Sequence, residues 1–281
     1  MKNGSRAAAL TIALLVLAAL FAPLLAPYAM DALDLANRRA APSSSHPFGT
    51  DELGRDVFTR VLFGARVSLA IGLISALVSV GIGMAIGATA GMGGGWLDEV
   101  LMRATDAMLC IPRLPLLMIL TATLHPGVPT LVMLVGIVGW METARVVRTD
   151  VQSLARRDFV SAARATGATP LRVIVRHVLP SVLPVIGVAA TLAVGRGILL
   201  ESALSFFGVG VQPPTASWGN MLYQAQTTMT SEPWLAVFPG LMIFLTVLAC
   251  NALGDTLGTS RTERAPGRSV RSAPTNRVTR R

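Results

Sequence analysis

The chain is short of lysine, of charge and of aromatic residues, and each shortage excludes something. Its one lysine is Lys2, so no glycine-rich loop ending in Gly-Lys-Ser/Thr can cradle a nucleotide phosphate. The two cysteines, Cys110 and Cys250, both lie inside apolar stretches and read as small buried residues, not as a disulfide framework. The three histidines, His46, His125 and His177, are scattered, with no second histidine at metal-ligand spacing. Neither H-E-x-x-H nor G-x-S-x-G occurs. No catalytic residue, metal ligand or cofactor is therefore assigned. Charged residues make up 14% of the chain against 52% hydrophobic, and the mean hydropathy is +0.60. That balance excludes an ordinary soluble domain.

What remains is an all-α integral membrane protein. The net charge of +9 sits on arginines between and after apolar runs, where the positive-inside rule expects them, and calls for no nucleic acid. Six apolar runs are long enough to span: residues 7–25, 67–90, a run ending near Leu124, 128 to about 147, 182 to about 207, and 234 to about 253. The first is longer than a usual signal-peptide core and is read as a retained helix, with cleavage as the rival. Gly83, Gly87 and Gly91 mark a stripe for close helix packing in the second. In the third, Arg103 and Asp106 fall three apart, so they pair near the interface or face a cavity. Pro112, Arg113 and Pro115 predict a kink in that span, and HPGVP from His125 predicts a tight hairpin. Glu142, Arg145 and Arg148 close the fourth. Arg196 and Glu201, five apart in the fifth, are expected to find partners on other helices, and Trp218 and Trp234 suit an interface.

Six spans put both termini in the cytoplasm. Residues 1–65 form an N-terminal helix and extracytoplasmic segment, and residues 66–257 a core of five spans. The loop at 150–180 and a basic, disordered tail at 258–281 then face inward, where the tail meets lipid headgroups. The polar segment 27–66 faces outward, although Arg55, Arg60 and Arg66 sit awkwardly there.

The most informative stretch is DFVSAARATGATPLRVIVRHVLP, residues 158–180. Asp158 can cap a helix that stops at Gly167. Thr169 can cap the next, and Pro170 fits its first turn. The result is a bracket, two helices held at a fixed angle. Ala162, Ala163, Gly167, Leu179 and Pro180 match the cytoplasmic signature of permease subunits of binding-protein-dependent ABC importers: E-A-A, three residues, Gly, nine residues, Ile, one residue, Leu-Pro. Ser161 stands in for the glutamate and His177 for the isoleucine. GTDELGRDVFTR from Gly49, SFFGVGVQPPTASWG from Ser205 and NALGD from Asn251 narrow the resemblance to the C-type subunit of the dipeptide, oligopeptide and nickel branch, over roughly residues 46–255.

The resemblance implies a type I importer permease in a bacterial inner membrane. It implies a heterodimer with a second permease subunit, two P-loop ATPase subunits at the cytoplasmic face and a substrate-binding protein outside. Ser161, Ala162, Ala163, Arg164, Gly167, Arg172, His177, Leu179 and Pro180 would then couple to the ATPase. Gly49, Thr50, Asp51, Gly54, Arg55 and Asp56 form the extracytoplasmic motif. Arg103, Asp106, Glu142, Arg145, Arg196 and Glu201 are the intramembrane charges. The substrate implied is a di- or oligopeptide, with a nickel chelate as alternative. A stand-alone secondary transporter is the rival from another class, but no repeat of the first half appears in the second. A DNA-binding helix pair has no room between two spans, and a membrane enzyme lacks its motif.

Overall fold

Long apolar runs must satisfy their backbone groups internally, and helices do so within one segment. The protein, described here from a computed structural model over residues 2–124 and 127–264, is built of helices joined by turns and loops, the longest of which, residues 26–56, holds one 3-10 turn at Leu35–Asn37. The side chains of residues 2–3, 164, 170–171 and 259–264 lie outside that description. So do His125 and Pro126 of the expected hairpin and residues 265–281 of the expected tail.

Helix α1 (Lys2–Leu20) breaks at Phe21 and resumes as α2 (Ala22–Leu25), because Pro23 has no N–H to give and its ring crowds the preceding turn. Helix α3 (Val57–Gly93) is the central element, packed against α1, α6, α7 and α10. It begins ten residues before the span expected at Val67, since Asp56 caps it by accepting from the Thr59 N–H at 2.7 Å. Its glycine stripe meets α7. A Cβ at Gly83, Gly87 or Gly91 would come within 2.6, 2.5 or 2.8 Å of atoms of Thr143, Ala144 and Val151 respectively. Close backbone approach of this kind replaces the hydrophobic effect as the packing force in lipid.

Helices α4 (Gly95–Leu109) and α5 (Arg113–Leu124) meet at a bend of 79°, and α6 (Val128–Ile137) and α7 (Met141–Ala155) at one of 42°; each pair together is long and apolar enough for one broken span. Pro112 accounts for the first break. The second has no proline at the bend; Gly136 and Gly139 hold α6 tightly on Val78 and Ser79 of α3, and α7 leaves from there at its own angle. After α8 (Asp158–Ala165) and α9 (Pro170–Val173), a π-helical turn at Ile174–Val178 leads into α10 (Leu179–Phe206). Pro180 offers no N–H to the carbonyl of Arg176 and its ring crowds that oxygen, so the helix widens there. Helix α11 (Trp218–Ala225) is short and carries a capping box between Ser217 and Asn220. Helix α12 (Trp234–Arg264) runs through Gly258, where the tail was expected to begin.

Among the described residues three helices are long and apolar enough to cross a membrane, and up to five spans result when each bent pair is one. The N-terminal apolar segment Gly4–Leu20 is shorter. Two sequence expectations are corrected. Cys250 is buried, but Cys110 is exposed because it lies at the α4–α5 break, outside the packing. Trp218 is no interface anchor: it is fully buried and donates its indole N–H to the Val61 carbonyl at 3.1 Å.

Candidate functional site

The bracket end is built on four valines. Val160 of α8, Val173 of α9, Val178 of the π turn and Val182 of α10 are buried in one cluster with Val147, Val151 and Leu154 of α7. Helix α8 stops in a Schellman motif: the Ala168 N–H donates to the Ala163 carbonyl at 3.0 Å, and Gly167 takes φ +85°. Thr169 accepts weakly from the Arg172 N–H at 3.4 Å. A groove of about 710 Å³ opens between α8 and the π turn, its lining including Ala163 and Ala168, which also pack on the valine cluster. Phe159, Ala162, Thr166, Arg172, Arg176 and His177 line it. Within the alanine pair the roles differ. Ala162 is exposed, whereas Ala163 packs toward the valine cluster. Ser161 and Pro180 are exposed and Leu179 is half-buried; the Arg164 side chain lies outside the described residues.

The opposite end is a closed knot. Asp51 accepts at Oδ1 from the Leu53 and Arg55 N–H groups and at Oδ2 from Arg55 Nε at 2.7 Å. Arg60 Nε lies 3.6 Å from the same oxygen. Arg55 and Arg60 both donate to Gln224 Oε1 of α11. Asp56 pairs with His46 Nδ1 at 3.0 Å, and Tyr28 stacks on that imidazole. The Thr50 hydroxyl donates to the Asn37 carbonyl and accepts from the Ala40 N–H. Gly49 and Gly54 both have positive φ, and a Cβ at Gly54 would overlap the Asp34 carbonyl. Asp34 accepts from the Asn37 amide, which holds its carboxyl below the usual range. Of the three awkward arginines of the sequence, Arg55 and Arg60 are thus buried and paired, whereas Arg66 is exposed.

Between the two ends, the charges expected within the membrane sort into pairs that spacing did not reveal. Arg103 and Asp106 do not pair: Arg103 meets Glu99 at 3.7 Å, and Asp106 accepts from Arg145 of α7. An i, i+4 partner and a facing helix each offered better geometry than the i, i+3 neighbour. Arg148 grips Asp98 with two nitrogens at 2.5 and 2.6 Å, tying α7 to α4. Glu142 is shared between Arg113 of α5, at 2.9 Å, and Arg196 of α10. Glu201, fully buried, accepts from the hydroxyls of Ser68 and Ser205. Those two hydroxyls in turn accept the N–H groups of Trp218 and Val211. Glu201 therefore joins α3, α10, α11 and the loop between the last two, a role that no pattern within one helix signals.

Residues 83–260 match the family described as binding-protein-dependent transport system inner membrane component. Residues 4–42 match the N-terminal TM domain of oligopeptide transport permease C. The chain belongs to this permease family. A protein of Brucella suis biovar 1 (strain 1330) named as a peptide permease is 41% identical to the permease over 245 residues, 86% of this chain and 81% of the relative. The glutathione transport system permease protein GsiD of Escherichia coli O6:K15:H31 is 41% identical over 251 residues, 89% of this chain and 83% of the relative. The permease is thus a multi-pass inner-membrane transport subunit, not an enzyme, of the dipeptide and oligopeptide branch of ABC importers.

Proposed function

We propose that this permease forms half of the translocation pathway of an ATP-driven peptide importer and takes its power stroke through the bracket. The groove between α8 and the π turn carries this reading. It is lined by small residues at Ala162, Ala163, Thr166 and Ala168, and by Arg172 and Arg176. A short helix end or loop with acidic side chains fits such a surface, because the small residues permit close approach and guanidiniums pair with carboxylates in two-point geometry. The valine cluster beneath makes the bracket one body with α7 and α10, so a push on it moves spans rather than a loose loop. The names of both relatives support peptides or peptide-like molecules as cargo.

In this reading the bracket and both termini face the cytoplasm, the knot faces outward, and the N-terminal apolar helix is the first of six spans. The missing parts are a second permease chain, two P-loop ATPase subunits and an external binding protein. The test is to tag the permease, extract it in mild detergent, and assay ATP hydrolysis of whatever co-purifies. A second multi-span chain, P-loop subunits and peptide-stimulated hydrolysis are expected. A permease that emerges alone or as a homo-oligomer, without ATPase activity, would sink the proposal.

A further inference from the structure

Arg113, Glu142 and Arg196 come from three different spans, yet they meet at one depth. Helix α5 continues for its whole length, Arg113–Leu124, beyond the first residue. Helix α6, Val128–Ile137, precedes the break before Glu142. Arg196 lies ten residues before Phe206, the end of α10. At 1.5 Å per residue each is roughly 15 to 21 Å from the proposed outer end of its span, toward the middle of a hydrocarbon layer about 30 Å thick. Arg113 starts the second half of one broken span and Glu142 the second half of the other. Broken helices with charge at the break, at mid-depth, are where transport proteins handle polar cargo.

The charges do not balance. Two guanidiniums share one carboxylate, and no further acid of the described residues pairs with either. The cluster is also accessible: the side chains of Glu142 and Arg196 are 40% and 38% exposed. They sit at the head of a cavity of about 510 Å³ whose walls are Val146, Val185, Val188 and Leu192. Thr143 lines the same cavity, and its buried hydroxyl has no hydrogen-bond partner among the described residues. On the other side, Arg113 and Arg196 border a small cleft with the hydroxyl-bearing Ser75 and Ser79.

We propose that Arg113 and Arg196 bind the C-terminal carboxylate of the peptide in transit, with Glu142 holding the two guanidiniums apart and oriented. The site rests on the peptide-importer reading. One carboxylate brings the cluster to neutrality, and a guanidinium takes it with two parallel hydrogen bonds. The apolar cavity beside it accommodates side chains of differing size without selecting among them.

The assembled importer in proteoliposomes tests this with tri-alanine and tri-alanine amide, each supplied at saturation on the binding protein. Arg196→Gln is expected to lower the ratio of acid to amide uptake roughly tenfold relative to wild type, the loss typical of one charge-assisted pair. Arg196→Lys should recover part of it, and Arg113→Gln should shift the ratio in the same direction. Equal loss of both peptides, with the ratio unmoved, overturns the site and leaves the importer reading standing. Loss of the second permease chain from the Arg196→Gln complex also overturns it, since the spare guanidinium would then pair across the subunit interface. A wild-type importer that moves neither peptide overturns both the site and the peptide reading.

Discussion

The knot and the bracket are built from the same parts and end up opposite in character. Each is a polar, arginine-bearing stretch between apolar helices, and each turns on a glycine with left-handed backbone, Gly54 at φ +76° and Gly167 at φ +85°. In the knot Asp51, Arg55 and Asp56 are answered from within. Asp51, Arg55 and Asp56 are 6%, 8% and 4% exposed, and their partners reach as far as Gln224. In the bracket Arg172 and Arg176 stay in the open beside a groove. A distinctive polar motif can therefore fix the fold or await a partner, and the pairing of its charges tells which. The knot clamps the N-terminal segment to α3, α11 and α12, so its charges act on the chain itself.

The comparison can be broken most severely at Asp51. Asp51→Ala leaves Arg55 and Arg60 buried without their carboxylate, a loss of about 3 to 5 kcal/mol. The expected readout is disappearance of folded permease from the membrane fraction and from thermal-stability profiles in detergent. Gly54→Ala comes next. Its methyl group meets the Asp34 backbone in a conformation that L-residues avoid, and about 2 to 4 kcal/mol should be lost in the same assay. Gly167→Ala has the same backbone conformation but open space around the new methyl, so only about 1 kcal/mol is expected. Equal destabilisation at the two glycines would erase the distinction between closed and open ends. The smallest stability effect belongs to Ala162→Glu, within about 0.5 kcal/mol as for exposed sites in general, yet it should abolish ATPase co-purification. Normal co-purification would place the docking surface elsewhere.

Much of this was legible in the sequence. Apolar run lengths gave the helices, the glycine stripe of α3 announced a close partner, and Pro112 announced the first broken span. The stop at Gly167 and the restart at Thr169 could be read residue by residue, because capping is a local matter of one side chain and a few N–H groups; Asp158, expected as a cap, is instead the first residue of α8, whose first N–H groups donate to the Arg157 carbonyl. Pairing across helices could not be read. Arg103 and Asp106 are neighbours on α4 and still do not pair, since α7 brings Arg145 to one of them and Glu99 meets the other. The bend at Val138–Trp140 has no proline to betray it and arises from how closely Gly136 and Gly139 let α6 approach α3. Arg60 looked misplaced because the carboxylate that receives it and the Gln224 that completes it belong to other elements. Trp218 looked like an interfacial ring because its acceptor is a carbonyl far away in sequence.

The carboxylate of Glu201 and the Asp51 knot pin the long spans together near one surface, and the valine cluster pins them near the other. A frame braced at both ends has no seam of its own to part. In the proposed importer a doorway would then run along the flank where Glu142 and Arg196 stay accessible, with this chain as one jamb and a second permease subunit as the other.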